Sequence, residues 1–561
     1  MQKIKLLVGI LFLCDLLFGQ SNINKDTLKF QMAPITVTAT RYAENTIEIP
    51  YAVTILPKEQ LTTNKGYGLD EALSFVPGVL TQSRAGTQDV RIVIRGFGAR
   101  GAGDRSNSGT SRGIRVMMDG IPETEPDGRT SFDNIDISNA ENVEVIRSNA
   151  SSIWGNAAGG IVNISTVPDF EDYYLNVKGL TGSFGFKKLN VQAGAELSNG
   201  KIFASYSQSI FDGYRQHSSG KRTVVNLGII SNLSDVTKLG VFAVGTSNLF
   251  RIPGPLTLDE YNKAATLPNS TYLKRDERRY NRLGRLGVTI DHNLNKNNEI
   301  SAMMYVNPKY LQRSERNTFR DFTRYHLGGN VVYRNINNLT DNLHNSLSLG
   351  IDEAYQDGAI LFYSLSSTQG RGETLKDNKR EGANTFGAFI QNELRINEKI
   401  SLLIGGRYDN VTYYSESFID PKLGLQKKSF EHFTPKAGLT YLFNPSHSVY
   451  FNLGGGVEVP AGNETDPAIT GVNLINPLLD PIISTTYELG TKHIYYLGIN
   501  KPIESITYDV ALYYIDVKND IIPYNSGKFY ITAGKTHRMG VEFGTNIKFN
   551  YGLNFNTSLT Y

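Results

Sequence analysis

Four arginines stand between positions 95 and 112: Arg95, Arg100, Arg105 and Arg112, against Asp104 alone. Guanidinium groups take carboxylates by paired hydrogen bonds. The stretch therefore favours an anionic ligand. The alternative is a flexible segment whose arginines meet lipid or neighbouring residues. A second charged group follows, Glu123, Glu125 and Asp127, flanked by Pro122, Pro126 and Gly128. Acids at that spacing can ligate Ca²⁺. Between prolines they more often form a solvated turn, and no metal site is expected. The eight histidines are scattered and make no close pair. Gly96–Gly103 is glycine-rich but lacks the strand–loop–helix setting and the lysine of a phosphate loop. No nucleophile–base set is visible, so no catalytic residue, no cofactor and no enzyme activity are expected.

The elements that carry these residues are read from the rest of the chain. Its 561 residues exceed one compact core of ordinary size. They require several domains or one very large closed sheet. A formal charge of +3 argues against a nucleic-acid partner held by a basic surface. Tyrosine (31) and glycine (54) are abundant and tryptophan (1) is rare, which suits strands and turns. Met1–Gln20 has the form of a secretory signal: Lys3 and Lys5, then the apolar run Leu6–Phe18. Cleavage is expected near Gly19 or Gln20. Cys14 is the only cysteine. Phe12–Leu13 before it makes a poor lipid-attachment site, so lipidation is the lesser alternative. The exported chain then has no disulfide, thiol catalysis or cysteine-bound zinc.

Past the signal no apolar run is long enough to span a bilayer as a helix. From about residue 172 the chain alternates with period two. In Ser505–Tyr514, Ile506, Tyr508, Val510, Leu512 and Tyr514 share one face. In Ile400–Asp409, Ile400, Leu402, Ile404 and Tyr408 oppose Ser401, Arg407 and Asp409, with Leu403 breaking the pattern. Near the end, Leu553, Phe555, Leu559 and Tyr561 do the same. Such segments suit a barrel with lipid outside and a wet lumen inside. A soluble sandwich or propeller also alternates, but no blade repeat is present and the strands are long. About sixteen to eighteen strands are expected between 172 and 561. Asn293–Asn298 and Asn335–Asn342 look like turns. Arg251–Arg279, Ser367–Gly382 and Ala461–Asp480 look like outer loops. Ahead of them, residues 45–168 read as a small α+β globule. It has one helical signal, Leu69–Phe75, and strand candidates Ala52–Leu56, Val90–Arg95, Ile114–Asp119, Val143–Arg147 and Gly160–Thr166.

This order of extended segment, globule and long barrel resembles the TonB-dependent transporters of Gram-negative outer membranes. Pro34, Ile35, Thr36, Val37, Thr38 and Ala39 are similar to the family's TonB box. Asp89–Phe97, Gly113–Pro122, Asn142–Arg147, Trp154–Gly155 and Gly159–Ile164 resemble the plug motifs in order. One departure is Ser148–Asn149, where the family has Gly-Pro. Gly405–Asp409, Pro435–Gly438, Tyr487–Lys492 and Arg538–Glu542 resemble barrel-strand motifs.

The resemblance implies a membrane all-β fold, a large antiparallel transmembrane β-barrel filled by an N-terminal plug. It implies a signal peptide over 1–20 and a flexible segment over 21–44 with the box at 34–39. The plug is then 45–168 and the barrel 169–561. The family's barrel has 22 strands, so a chain truncated at its C-terminus is expected. It also implies active transport of a scarce nutrient and TonB, with ExbB and ExbD, as partner at residues 34–39. Outer-membrane lipid surrounds the barrel. Arg100, Arg105 and Arg112 would lie on apical plug loops and meet cargo. Arg95, Glu144 and Arg147 would meet barrel charges Glu488, Arg538 and Glu542, with ordinary solvated charge as the alternative.

For cargo, Arg95–Arg100 and Pro122–Gly128 resemble the branch of ferric-citrate-type and pyrroloquinoline-quinone receptors. An anionic iron chelate or ferric siderophore is the first expectation. Pyrroloquinoline quinone, cobalamin or an oligosaccharide, or a passive porin, are alternatives. Haem receptors resemble this chain at Val457–Pro460 and Asn476–Leu478 but place a histidine between, which is absent here.

Overall fold

The structure, a computed structural model, describes residues 36–37, 41–62, 68–83, 90–98, 112–315, 318–366, 370–462, 464–467, 472–498, 501–524 and 529–561. The short strands come first: β1 (Thr36–Val37), β2 (Glu44–Asn45), β3 (Val53–Pro57), β4 (Val79–Ser83) and β5 (Val90–Ile94). They continue as β6 (Phe97–Gly98), β7 (Ile114–Met118), β8 (Ile121–Pro122), β9 (Asn142–Ile146) and β10 (Gly160–Ser165). β3-β9-β10-β7-β8 form one sheet and β4-β5-β6 another. Val, Ile and Leu from both sheets and from helix Leu69–Leu73 make a shared core, among them Leu73, Ile92, Val116, Val145 and Val162. The five expected strands and the helix appear within two residues of the positions read from sequence. β4 went unread because its side chains alternate between half-buried and exposed without an apolar face.

The large sheet begins with β11 (Tyr173–Thr181), β12 (Lys187–Leu197), β13 (Gly200–Phe211), β14 (Gly220–Ser234) and β15 (Thr237–Arg251). It continues with β16 (Arg278–Asn295), β17 (Asn298–Glu315), β18 (Thr318–Thr340), β19 (Leu343–Ser366) and β20 (Gly370–Ile396). Next come β21 (Ile400–Ser417), β22 (Gln426–Asn444), β23 (His447–Glu458), β24 (Ile482–Tyr496) and β25 (Ile503–Lys518). A separate hairpin, β26 (Ile521–Tyr524) and β27 (Phe529–Thr532), precedes β28 (Lys535–Phe549) and β29 (Asn554–Thr560). Among the described residues the sheet has 17 antiparallel strands in chain order, apart from the hairpin. That falls within the expected sixteen to eighteen.

Along β21, Leu402, Ile404 and Tyr408 are exposed, while Leu403, Arg407 and Asp409 are buried on the other face. The apolar face looks outward to lipid and the polar face inward to the plug, as a wet-lumen barrel requires. Tyr325, Tyr355 and Tyr414 line up on the outer face at ring separations of 6.4 and 6.1 Å, in the manner of an interfacial girdle. Tyr414 reaches across β20 to donate to the Gln356 carbonyl at 2.8 Å. A Cβ on Gly382 would stand 2.1 Å from that ring, so the crossing needs glycine.

One end of the barrel has short turns, such as 296–297 and 341–342; the other has long connections, such as 252–277 and 459–481. Short turns mark the periplasmic end. Of the three expected outer loops, Ser367–Gly382 needs correction: β20 already begins at Gly370. This stretch carries charge on both faces, so no alternation betrays the strand.

Candidate functional site

The globule sits inside the sheet and is bonded to it by charge. Its centre is a four-residue cluster. Arg95 follows β5 with φ 48° and Gly96 with φ 78°, a left-handed turn that aims the guanidinium at the wall. Arg95 donates through Nη1 to Glu488 Oε2 at 2.7 Å. Through Nε and Nη2 it donates to both Glu542 oxygens at 2.8 and 2.9 Å. Arg147, after β9, donates to Glu542 Oε2 at 2.6 Å and also pairs with Asp509. All four side chains are essentially buried. Burial pulls the Arg147 guanidinium down, but Asp509 and Glu542 outweigh it and hold it above its ordinary value. A Cβ on Gly78 would stand 2.0 Å from Glu542 Oε1, so Gly78 makes room for the cluster.

Glu488 has a further role that sequence reading missed. Its Oε1 accepts from the backbone N–H of Ala52 at 2.8 Å and from the Tyr450 hydroxyl at 2.7 Å. Ala52 O accepts from Arg147 N–H at 3.0 Å. The chain entering the globule is therefore gripped at the same cluster. No sequence motif marks a backbone contact of this kind.

The other expected contacts divide. Arg538 lies 4.2 Å over the Phe97 ring and 3.6 Å from Asp520. It meets the globule through an aromatic face, where a charge pair was expected. Glu144 accepts from Asn163 of the neighbouring strand β10 at 3.1 Å, a contact inside the globule. Arg112 is corrected more sharply. It is buried at 2% exposure and paired with Glu458 and Glu464 of the barrel side. Two carboxylates hold its charge, so the structure places it at a plug–barrel contact. Arg100 and Arg105 lie outside the described residues. So do Pro34, Ile35, Thr38 and Ala39. Thr36–Val37 form β1, antiparallel to β2.

Glu123, Glu125 and Asp127 form neither a solvated turn nor a cation site. Each is buried and meets a cation on successive barrel strands. Arg285 of β16 donates to Glu123 at 2.9 Å and Lys309 of β17 to Glu125 at 2.6 Å. Arg324 of β18 reaches Asp127 at 3.5 Å, and Arg129 donates to it at 2.7 Å. Their signal in sequence was a cation on the polar face of each of three successive strands, Arg285, Lys309 and Arg324. Burial pushes Asp127 up, but Arg129 and Arg324 outweigh it and bring it to about 2. A depressed carboxylate stabilises the fold above its unfolded value and loses that contribution as pH falls through the folded value. The amide of Gly128, bonded to Glu125 O at 2.9 Å, should stay protected from hydrogen exchange down to about pH 4. Protection should fade toward pH 2; loss already at pH 5 would contradict the Asp127 pairing.

At the short-turn end, segment 41–52 is tied down separately. Lys492 donates to Thr46 O and Ile49 O at 2.7 and 2.8 Å. Arg395 pairs with Glu48. Arg41 pairs with Asp352 at 2.7 Å and lies 3.7 Å over the ring of Trp154.

A plug bonded across the lumen of a meandering barrel is a recognisable arrangement, and the comparisons agree with it. Residues 230–561 match the family model "TonB dependent receptor-like, beta-barrel", more than half of the chain. Residues 45–161 match the "TonB-dependent Receptor Plug Domain". The chain belongs to the TonB-dependent receptors. It is 22% identical to the ferrioxamine B receptor of Salmonella typhimurium, over 94% of this chain and 76% of that protein. It is 25% identical to the vitamin B12 transporter BtuB of Vibrio vulnificus, over 30% of this chain and 26% of that protein. The unliganded ferric citrate transporter FecA shares the fold, with a TM-score of 0.76 at 17% identity over 92% of this chain and 78% of that one. As a TonB-dependent receptor the chain is an outer-membrane β-barrel protein. The charged clusters above are the contacts between its plug and its barrel.

Proposed function

We propose that this receptor takes up an anionic iron chelate and moves it inward by force applied to β1 through TonB, with ExbB and ExbD. One observation carries the energised part of this reading. The plug is bonded across the lumen by buried ion pairs, and the segment leading out of it ends in a short strand at the periplasmic end. Buried pairs are costly to break singly, so an external pull is needed. A β-prone strand is the handle a partner's sheet edge can take. Glu488 joins the two ends of the device. It holds Arg95, which leads to the apical stretch, and Ala52, which leads to β2 and β1. Cargo that draws Arg95 away leaves Glu488 with a weaker hold on the exit segment.

The upper lumen wall supports an anionic cargo. Arg320 shares the inward face of β18 with Arg324 and lies 5.2 Å over Phe362. Among the described residues it has no carboxylate partner. Two of the three relatives above are named for iron chelates, ferrioxamine B and ferric citrate, which supports an iron chelate over the vitamin B12 named for the third.

The test is whole-cell uptake of labelled ferric citrate and of pyrroloquinoline quinone, with and without a proton uncoupler. Uptake of one that stops with the uncoupler supports the reading; uptake that ignores it indicates a passive pore. Arg320→Gln should raise the half-saturating concentration about tenfold, the loss of one charge-assisted hydrogen bond. An unchanged value would remove Arg320 from the cargo site.

A further inference from the structure

Two cavities lie one above the other along β20 and β21, the lower one reaching across β19 and β18 to β17. The upper, about 20 Å³, opens among Asp127, Arg129, Glu381, Tyr413 and Asp466. The lower, about 50 Å³, is lined by Arg115, Trp154, Asn156, His326, Thr385 and Asp409. On β21 the succession is direct: Asp409 and Val411 face the lower cavity, Tyr413 and Ser415 the upper. The plug turn 125–129 separates them, with Glu125 and Pro126 below and Asp127 and Arg129 above.

The lower cavity is polar. Asp409 Oδ2, Asn156 Oδ1 and Arg115 Nε are buried on its wall without a hydrogen-bond partner among the described residues. Asp409 itself is 8% exposed. Buried polar atoms are nearly always satisfied, and a space of this size admits a few waters. The seam is therefore wet. Direct bonds between plug and wall occur within the seam, from Gln356 to Glu125 and from Arg407 to Ile153 O, both at 2.9 Å, and on the other flanks. Lys188 of β12 bonds Asp136 at 2.6 Å, Asn452 of β23 bonds Ser148 at 2.8 Å, and Arg95 and Arg147 bond β24 and β28.

We propose that this seam along β19–β21 is the route by which cargo passes the plug, gated above by turn 125–129 and closed below by Arg41. The proposal rests on the transport reading given above. Asp127 locks the upper gate through Arg129, Arg324 and Gln356. Arg41 closes the floor: it stacks on Trp154 and on Phe389, pairs with Asp352, and donates to Ile153 O at 2.7 Å. Phe389 lies one inward position nearer the periplasm than Gly387, which lines the lower cavity. Arg41 stands four residues after Val37, at most roughly 14 Å of extended chain. A pull on β1 thus reaches Arg41 before any strand of the plug sheets. Withdrawing Arg41 uncovers one face of Trp154 and leaves Asp352 and Ile153 O to Arg407, which bonds them at 2.5 and 2.9 Å; the seam opens from below once that remaining bridge gives.

Single cysteines test this cleanly, because Cys14 is the only native one. In a Cys14→Ser background, Thr385→Cys places a thiol on the seam and Ser148→Cys places one on the opposite, directly bonded flank. Both changes are small. Folding is checked by resistance of the barrel to SDS before heating. Respiring cells, supplied in turn with ferric citrate and pyrroloquinoline quinone, are treated with a charged maleimide with and without a proton uncoupler. The expected result is labelling of Thr385→Cys several-fold faster in energised cells, with Ser148→Cys unchanged. Faster labelling of Ser148→Cys, or equal acceleration of both, overturns the seam while leaving energised transport standing. No effect of the uncoupler at either site, with either compound, overturns the transport reading and the seam with it.

Discussion

Glu542→Gln should cost the plug about 3–5 kcal/mol while leaving the barrel intact. The estimate follows from what Glu542 holds. Arg95 gives it two hydrogen bonds and Arg147 a third, and all three side chains are buried. The amide keeps the volume and removes the charge. Two guanidinium groups then share only Glu488 and the half-screened Asp509, whose side chain is 23% exposed. Removing one partner from a buried pair typically costs that much, because an uncompensated charge remains. The measurement is simple. Trp154 is the only tryptophan, and it sits in the plug with Arg41 and Arg115 around it. Its emission during urea titration reports plug unfolding, while SDS resistance reports the barrel. A midpoint shift worth less than about 1 kcal/mol would mean that the cluster is an ordinary solvated network. The double variant Arg95→Gln/Glu542→Gln should lose less than the two single losses together, since the second change relieves the stranded charge.

The barrel was legible because its physics is periodic. Lipid outside and water inside force alternation at every strand, and the alternation survives in Leu402, Ile404 and Tyr408 against Arg407 and Asp409. It failed at Gly370–Gly382, where β20 rises above the apolar belt and neither face has to be apolar. The plug–barrel contacts were partly legible for a similar reason. A buried sheet edge that ends in arginine, as at Arg95 and Arg147, needs an acid nearby, and Glu488 and Glu542 stand on inward faces. Pairing across more than three hundred residues is set by barrel register, which sequence does not display. Arg112 therefore looked like an open cargo contact until Glu458 and Glu464 were placed beside it. Glu123, Glu125 and Asp127 looked solvated for the same reason. Their partners Arg285, Lys309 and Arg324 are far along the chain and arrive only when β16, β17 and β18 stand side by side.

Val37→Pro should abolish energised uptake and leave cargo binding at the cell surface unchanged. The backbone, not the side chain, is at issue. Strand addition uses main-chain N–H and C=O groups, and proline has no N–H and resists a ladder interior. Val37 already pairs with Glu44 across β1 and β2, so its backbone is in the extended form a partner would take up. Removing that N–H leaves a partner carbonyl unmet and costs about 1–3 kcal/mol, roughly five- to a hundredfold in partner affinity. Val37→Thr keeps an extended-chain preference and should keep uptake, which separates backbone from side chain. The change lies far along the chain from Arg95 and Glu542, so the urea midpoint of the plug and SDS resistance of the barrel should match the parent protein. Uptake that persists in Val37→Pro would show that force enters elsewhere, and the role given to Arg41 as the first residue moved would fall with it.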